Sequence, residues 1–219
     1  MDYFAEFEKA GIRYLCFLGN DDLRIFDELF DRTCGRFPNV TNFAQRSVKI
    51  GQYEFIGMNF VVDYPFRLKD RCMKDTANYV IQRQLGTALL STPAGWREVK
   101  DWSSYINTLP TIEDELNRLP RPVDVSKSVY VIHMLPAKLD LDKCESGELV
   151  GSMAVYNFLV KMRARLVLHG HIHESPDVTG KWYAWLQKTA CIQPGQTYEG
   201  LAYVEIDLDK MTFNRNIVG

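Results

Sequence analysis

Histidine is scarce in this chain, with four among 219 residues. The five cysteines, Cys16, Cys34, Cys72, Cys144 and Cys191, form no CxxC pair and are odd in number, which excludes a disulfide framework or a structural zinc knuckle as the expectation. Reduced thiols in a cytoplasmic protein are expected instead. No run reaches the roughly 18 apolar positions of a membrane span, and the start MDYFAEFEKAG has acids where a secretory leader is basic. A basic excess is missing as well: 26 lysines and arginines face 28 aspartates and glutamates, so no nucleic-acid or membrane surface is expected. The strings GxxxxGK(S/T), GxGxxG and GxSxG do not occur, which removes the anchors of nucleotide-loop and serine-hydrolase readings. Without a leader, the sequon at Asn39-Val40-Thr41 reads as a polar turn.

What is present is a 46% apolar chain long enough to bury one core, so residues 1–219 are expected to form a single domain. Tyr3, Phe4, Phe7 and Ala10 share a helical face that Gly11 ends. Arg13–Leu18 reads as a short buried strand running into Gly19-Asn20-Asp21-Asp22, and Asp22–Cys34 as a helix with Gly35 as its cap. Residues 46–60 read as a hairpin around Gly51-Gln52. From 61 to 110 the pattern loosens into a variable or substrate-side region with one predicted helix near 75–90. Thr111 and Asp114 predict a capping box opening a helix over 112–119. A strand over Ser128–Ile132 delivers His133, and a helix over 151–164 leads through a strand, Arg165–Leu168, into His169-Gly170-His171-Ile172-His173. Cys191-Ile192 and the segments Leu201–Leu208 and Met211–Val218 read as closing strands, and Trp182, Tyr183 and Trp185 as core or strand aromatics. The expected class is α/β.

Asn20, His133, His171 and His173 all leave the carboxyl ends of predicted strands, where α/β sheets build their sites. Amide oxygen and imidazole suit zinc, manganese or iron. Two histidines two apart need a bent loop to converge, and Gly170 is expected to supply that freedom. His169, closest to the strand, is expected to support the others, with Glu174 as a further partner for an imidazole. Arg67, Lys69, Arg71 and Lys74 either meet a substrate phosphate or form a solvated face.

In order and spacing, Gly19-Asn20-Asp21-Asp22, His133 and Gly170-His171-Ile172-His173 resemble the last three motifs of the calcineurin-like metallophosphoesterase family, and Ile192-Gln193-Pro194-Gly195 is similar to a strand end of such proteins. The likeness spans residues 12 to about 208. It implies a β sandwich flanked by helices and hydrolysis of a phosphomonoester or phosphodiester, small molecule or nucleotide, by a metal-bound hydroxide between two divalent ions. It further implies Asn20, His133 and His171 on one ion, His173 on the other, and Asp21 and His133 at the reaction itself.

The chain departs from that family twice. Asp21 stands where the family has a phosphate-contacting histidine, and an ionised Asp21 repels phosphate unless protonated, turned away or paired. The family's DxH and GDxxD motifs, which hold most of the other ion, are missing, so one ion or none is expected and weak or no activity for the chain alone. An N-terminally truncated fold is therefore expected, arising from a relic, a misassigned start or a split gene, with an exposed sheet edge that invites self-association. The alternative is a non-catalytic relic or one-metal interaction module.

Overall fold

The computed structural model describes residues 3–196 and 200–219. Its elements, in chain order, are α1 (Tyr3–Lys9), β1 (Tyr14–Cys16), α2 (Asp27–Cys34), β2 (Val40–Asn42), β3 (Ser47–Ile50), β4 (Tyr53–Met58), β5 (Val61–Val62), β6 (Cys72–Met73), β7 (Ala88–Thr92) and β8 (Gly95–Val99). There follow α3 (Trp102–Ile106), α4 (Ile112–Arg118), β9 (Ser128–Ile132), α5 (Met153–Met162), β10 (Leu166–Leu168), α6 (Ser175–Thr179), β11 (Tyr183–Leu186), β12 (Thr189–Ile192), β13 (Leu201–Asp207) and β14 (Thr212–Val218).

A six-stranded sheet in the order β11-β12-β10-β9-β4-β3 organises the chain. Its four inner strands run parallel, and the hairpin partners β3 and β11 close it antiparallel at both edges. Strand pleating sorts the side chains between two faces. Tyr130, Ile132, Val167 and Cys191 pack against Ile112 and Leu116 of α4 and Val155, Phe158 and Leu159 of α5. The alternate residues Val129, Leu166, Ala190 and Ile192 face Val204, Ile206 and Phe213 of the antiparallel β13–β14 hairpin. The result is an α/β sandwich with helices on one face of the sheet and a β hairpin on the other. Each fully buried side chain of this kind contributes about 1.5–3 kcal/mol.

Local signals explain several boundaries. The Thr111–Asp114 capping box forms as its spacing predicts and opens α4. Gly51, at φ +59°, makes the turn between β3 and β4. At α5, Ser152 accepts from the Val155 N–H at 2.9 Å, and the buried Asp75 carboxylate accepts from the Met153 N–H at 2.9 Å. Asp75 thus pins the 61–110 segment to the helix layer.

Other expectations give way. No helix forms over 75–90; that stretch is loop running into the β7–β8 hairpin, held through Asp75 and the bridge from Leu68 to Leu89. The helix expected from Asp22 starts at Asp27, after one tighter turn over Arg24–Phe26, because the Asp70 carboxylate binds the Arg24 N–H at 2.8 Å and sets the entry. Gly35 caps it in right-handed conformation. The strand expected from Arg13 shortens to β1, half-buried and paired in parallel with β2. Tyr183 and Trp185 lie in a strand but are 42% and 50% exposed, so they are not core residues. No helix is long and apolar enough to cross a membrane among the described residues.

Candidate metal centre

Backbone pairing carries the sheet past its last strand residues. The His133 N–H donates to Met58 O at 2.8 Å, the His169 N–H to Ile192 O at 2.8 Å, and the Gly170 N–H to His133 O at 3.1 Å. This extension brings the loops after β9 and β10 together, and the rings of His133 and His171 lie 5.5 Å apart. The freedom expected of Gly170 belongs to His171 itself, which takes φ +71°. Gly170 serves close approach instead, since a Cβ there would stand 3.1 Å from His133 Nδ1 and 3.3 Å from its Cε1.

Asn20 joins this pair from the loop after β1. Its Oδ1 lies 2.7 Å from His133 Nε2 and 2.9 Å from His171 Nδ1, so one oxygen meets a ring nitrogen of each histidine. Asp21 Oδ1 accepts from Asn20 Nδ2 at 3.0 Å. That bond fixes which end of the amide faces the imidazoles. Burial pushes His133 down to about 4, helped by His173, Arg71 and His169, and pushes His171 down to about 3, helped by His133 and His173. Both are therefore neutral near pH 7, the form that ligates a metal.

Supporting residues surround the trio. His169 is buried, Nδ1 shared between Ile132 O at 2.9 Å and Met134 O at 3.0 Å; its Nε2 finds no partner among the described residues. Both acceptors flank His133, so His169 braces the strand end that carries it. His173 is exposed, and its carbonyl accepts from the Gln196 N–H at 3.1 Å. The Gln193 side chain bonds Ile172 O, so the strand end after β12 holds this loop. Glu174 sits against the Cys144 thiol, which burial raises to about 11, and makes no hydrogen bond to an imidazole among the described residues.

The expected basic cluster does not form a face. Lys69 is fully buried, its Nζ 2.7 Å from Asp63 Oδ1 and bonded to Tyr64 O. Arg71 is buried too, with Nε donating to Gly19 O at 2.8 Å and its other nitrogens to Asp27. Lys74 bonds Asn107 Oδ1 at 2.8 Å, and exposed Arg67 bonds Thr87 O at 3.2 Å. Arg71 positions the Asn20 loop, and neither Arg67 nor Arg71 lines the cavity.

That cavity, about 620 Å³, is lined by Asn20 and His171 of the trio but not by His133. Asn20, Asp21, Tyr64, His171, His173 and Glu174 contribute to its wall, as do Glu145 and Glu148, with neither lysine nor arginine among its described lining residues. Tyr64 was not singled out by the sequence. Its ring lies 5.9 Å from that of His171, and burial raises its phenol well above the ordinary value. A signal of position was available: Asp63-Tyr64-Pro65 follows β5 just as the other site residues follow their strands.

Among solved structures, TT1561 of Thermus thermophilus superposes with a TM-score of 0.53 at 15% identity, covering 98% of this chain and 76% of that one. A second crystal structure superposes at 0.57 with 17% identity, covering 98% of this chain and 69% of that one. The likeness is one of fold. No protein-family model and no curated protein matches the sequence.

The trio fits a single divalent ion. Donors on one ion at ordinary bond lengths lie about 3 Å from each other, and the Asn20 oxygen stands 2.7 and 2.9 Å from two imidazole nitrogens, which can ligate once each ring carries its proton on its other nitrogen. No three His, Cys, Asp or Glu side chains gather into such a group among the described residues; an asparagine amide completes this one.

Proposed function

We propose that the chain has the calcineurin-like phosphoesterase sandwich and that its site is a metallophosphoesterase centre, with Asn20, His133 and His171 holding one divalent ion, manganese, zinc or iron. The observation that carries this reading is the shared Asn20 Oδ1, within 2.9 Å of both imidazoles, with Asn20 and His171 lining the cavity. When bound there, an ion supplies a Lewis acid for a phosphoryl oxygen and lowers the pKa of water.

The chain's own groups do the rest. Asp21 orients the Asn20 amide, a reason for its presence where the family has histidine. Arg71 holds the loop from beneath. His173 lines the cavity without a comparable set of partners among the described residues, so the rate with one ion is expected to be low. The substrate is a phosphomonoester or phosphodiester small enough for the cavity.

The acid-lined, cation-free wall favours a second reading, a module that binds one cation and does no chemistry, because ionised carboxylates repel an uncompensated phosphate. Hydrolysis of an aryl phosphodiester with manganese separates the two. The enzyme reading expects turnover that His171→Ala abolishes. Stoichiometric manganese with no turnover by any phosphate ester selects the module.

A further inference from the structure

The cavity poses an electrostatic problem for the substrate just proposed. Asp21, Glu145, Glu148 and Glu174 lie in its wall, and no lysine or arginine does among the described residues. A phosphoryl group entering it needs donors that are neutral. The position after Asn20 cannot provide one, because the Asp21 carboxylate is committed to the Asn20 amide.

Tyr64 is placed to do so. It lines the cavity beside Asn20, His171 and His173, with its hydroxyl between the Asn20 amide and the buried Cys72 thiol and its ring 5.9 Å from His171. A tyrosine phenol keeps its proton at neutral pH, with an ordinary pKa of about 10. The residue is also fixed in place. The ammonium of buried Lys69 lies 5.0 Å from the ring centroid and bonds the Tyr64 carbonyl, while Asp63 and Trp102 hold Lys69 in turn. The Tyr79 hydroxyl, also in the wall, is spent on Asp63 O at 3.1 Å.

We infer that Tyr64 contacts the substrate, its phenol O–H donating to a phosphoryl oxygen of the ester held against Asn20, His133 and His171. This inference rests on the phosphoesterase reading. It assigns to a residue from the 61–110 segment the neutral contact that the Asp21 position cannot make.

The test uses Tyr64→Phe, which keeps the ring against Lys69 and His171 and removes one oxygen. Manganese binding is read by the loss of its free paramagnetic signal, and inorganic phosphate binding to the loaded protein by calorimetry. Unchanged manganese affinity with phosphate bound about tenfold or more weakly is expected, as for a lost hydrogen bond to a charged group. Equal phosphate affinity in both proteins overturns the inference alone, as does loss of manganese from the variant, which would make Tyr64 a support for Asn20. Loaded wild type that binds no phosphate also overturns it. If wild type takes up no manganese, the metal reading fails and the inference fails with it.

Discussion

Arg71 reaches from the 61–110 segment to the Gly19 carbonyl, 2.8 Å away, and so anchors the peptide that leads into Asn20. Its guanidinium is 2% exposed and its other nitrogens are held by Asp27, so its role is to fix a loop. Arg71→Met should cost about 1–3 kcal/mol, the worth of hydrogen bonds to a charged group. It should also weaken manganese binding by roughly tenfold or more, as loss of an outer partner of a ligand does. Denaturant melts and a manganese titration check both. An unchanged affinity would show that Asn20 holds its place without Arg71.

Two glycines flank the same imidazole and should respond differently. At Gly170 an added methyl meets His133 Nδ1 at 3.1 Å, whereas at Gly19 the nearest ring atom is 3.5 Å away, an ordinary contact. Gly170→Ala should tilt the His133 ring and lower metal affinity on the order of tenfold, while Gly19→Ala should leave it within about twofold. Parallel titrations of the two variants read the difference.

Much of the frame could be read from the sequence because its signals were local. The Thr111–Asp114 box and the strand Ser128–Ile132 each depend on neighbours a few residues away, and both formed with the expected starts. The segment 61–110 could not be read because its order comes from distant partners. Lys69 and Arg71 look like surface cations until Asp63 and Asp27 neutralise them, and Arg71 lies 44 residues from its carboxylate. Asn20, His133 and His171 stood out by chemistry and position, and the fold brings their donor atoms together. Tyr64, one aromatic among many, had position alone to mark it.

Acid should loosen this fold ahead of its carboxylates. Burial holds His133 and His169 at about 4 and His171 at about 3, below the ordinary imidazole value, so the unfolded chain binds protons that the native chain refuses. Their contribution is complete above about pH 6.5 and is lost as pH falls through that value toward 4. Asp75 and Asp142, raised by burial, act in the opposite sense lower in that range, so the histidine effect is cleanest near its top. Denaturant unfolding between pH 7.5 and about 5 should show uptake of more than one proton per molecule on unfolding. A flat profile would mean that these imidazoles are not held neutral.

Asp21 carries a separate expectation. Because its Oδ1 takes the Asn20 amide proton, Asp21→Ala frees that amide to flip and present nitrogen to the imidazoles. Manganese affinity should fall by a few-fold to tenfold, with Asp21→Asn falling less because its carbonyl can still accept. Repulsion alone predicts a different pattern, in which both variants bind phosphate better and metal equally well.

The most direct measurement is a cobalt titration followed by visible absorption, comparing wild type with Asn20→Ala and His171→Ala. One ion per chain is expected, with a spectrum that reports nitrogen ligation and is lost in both variants. Cobalt bound equally well by His171→Ala, or not bound by wild type, would contradict it.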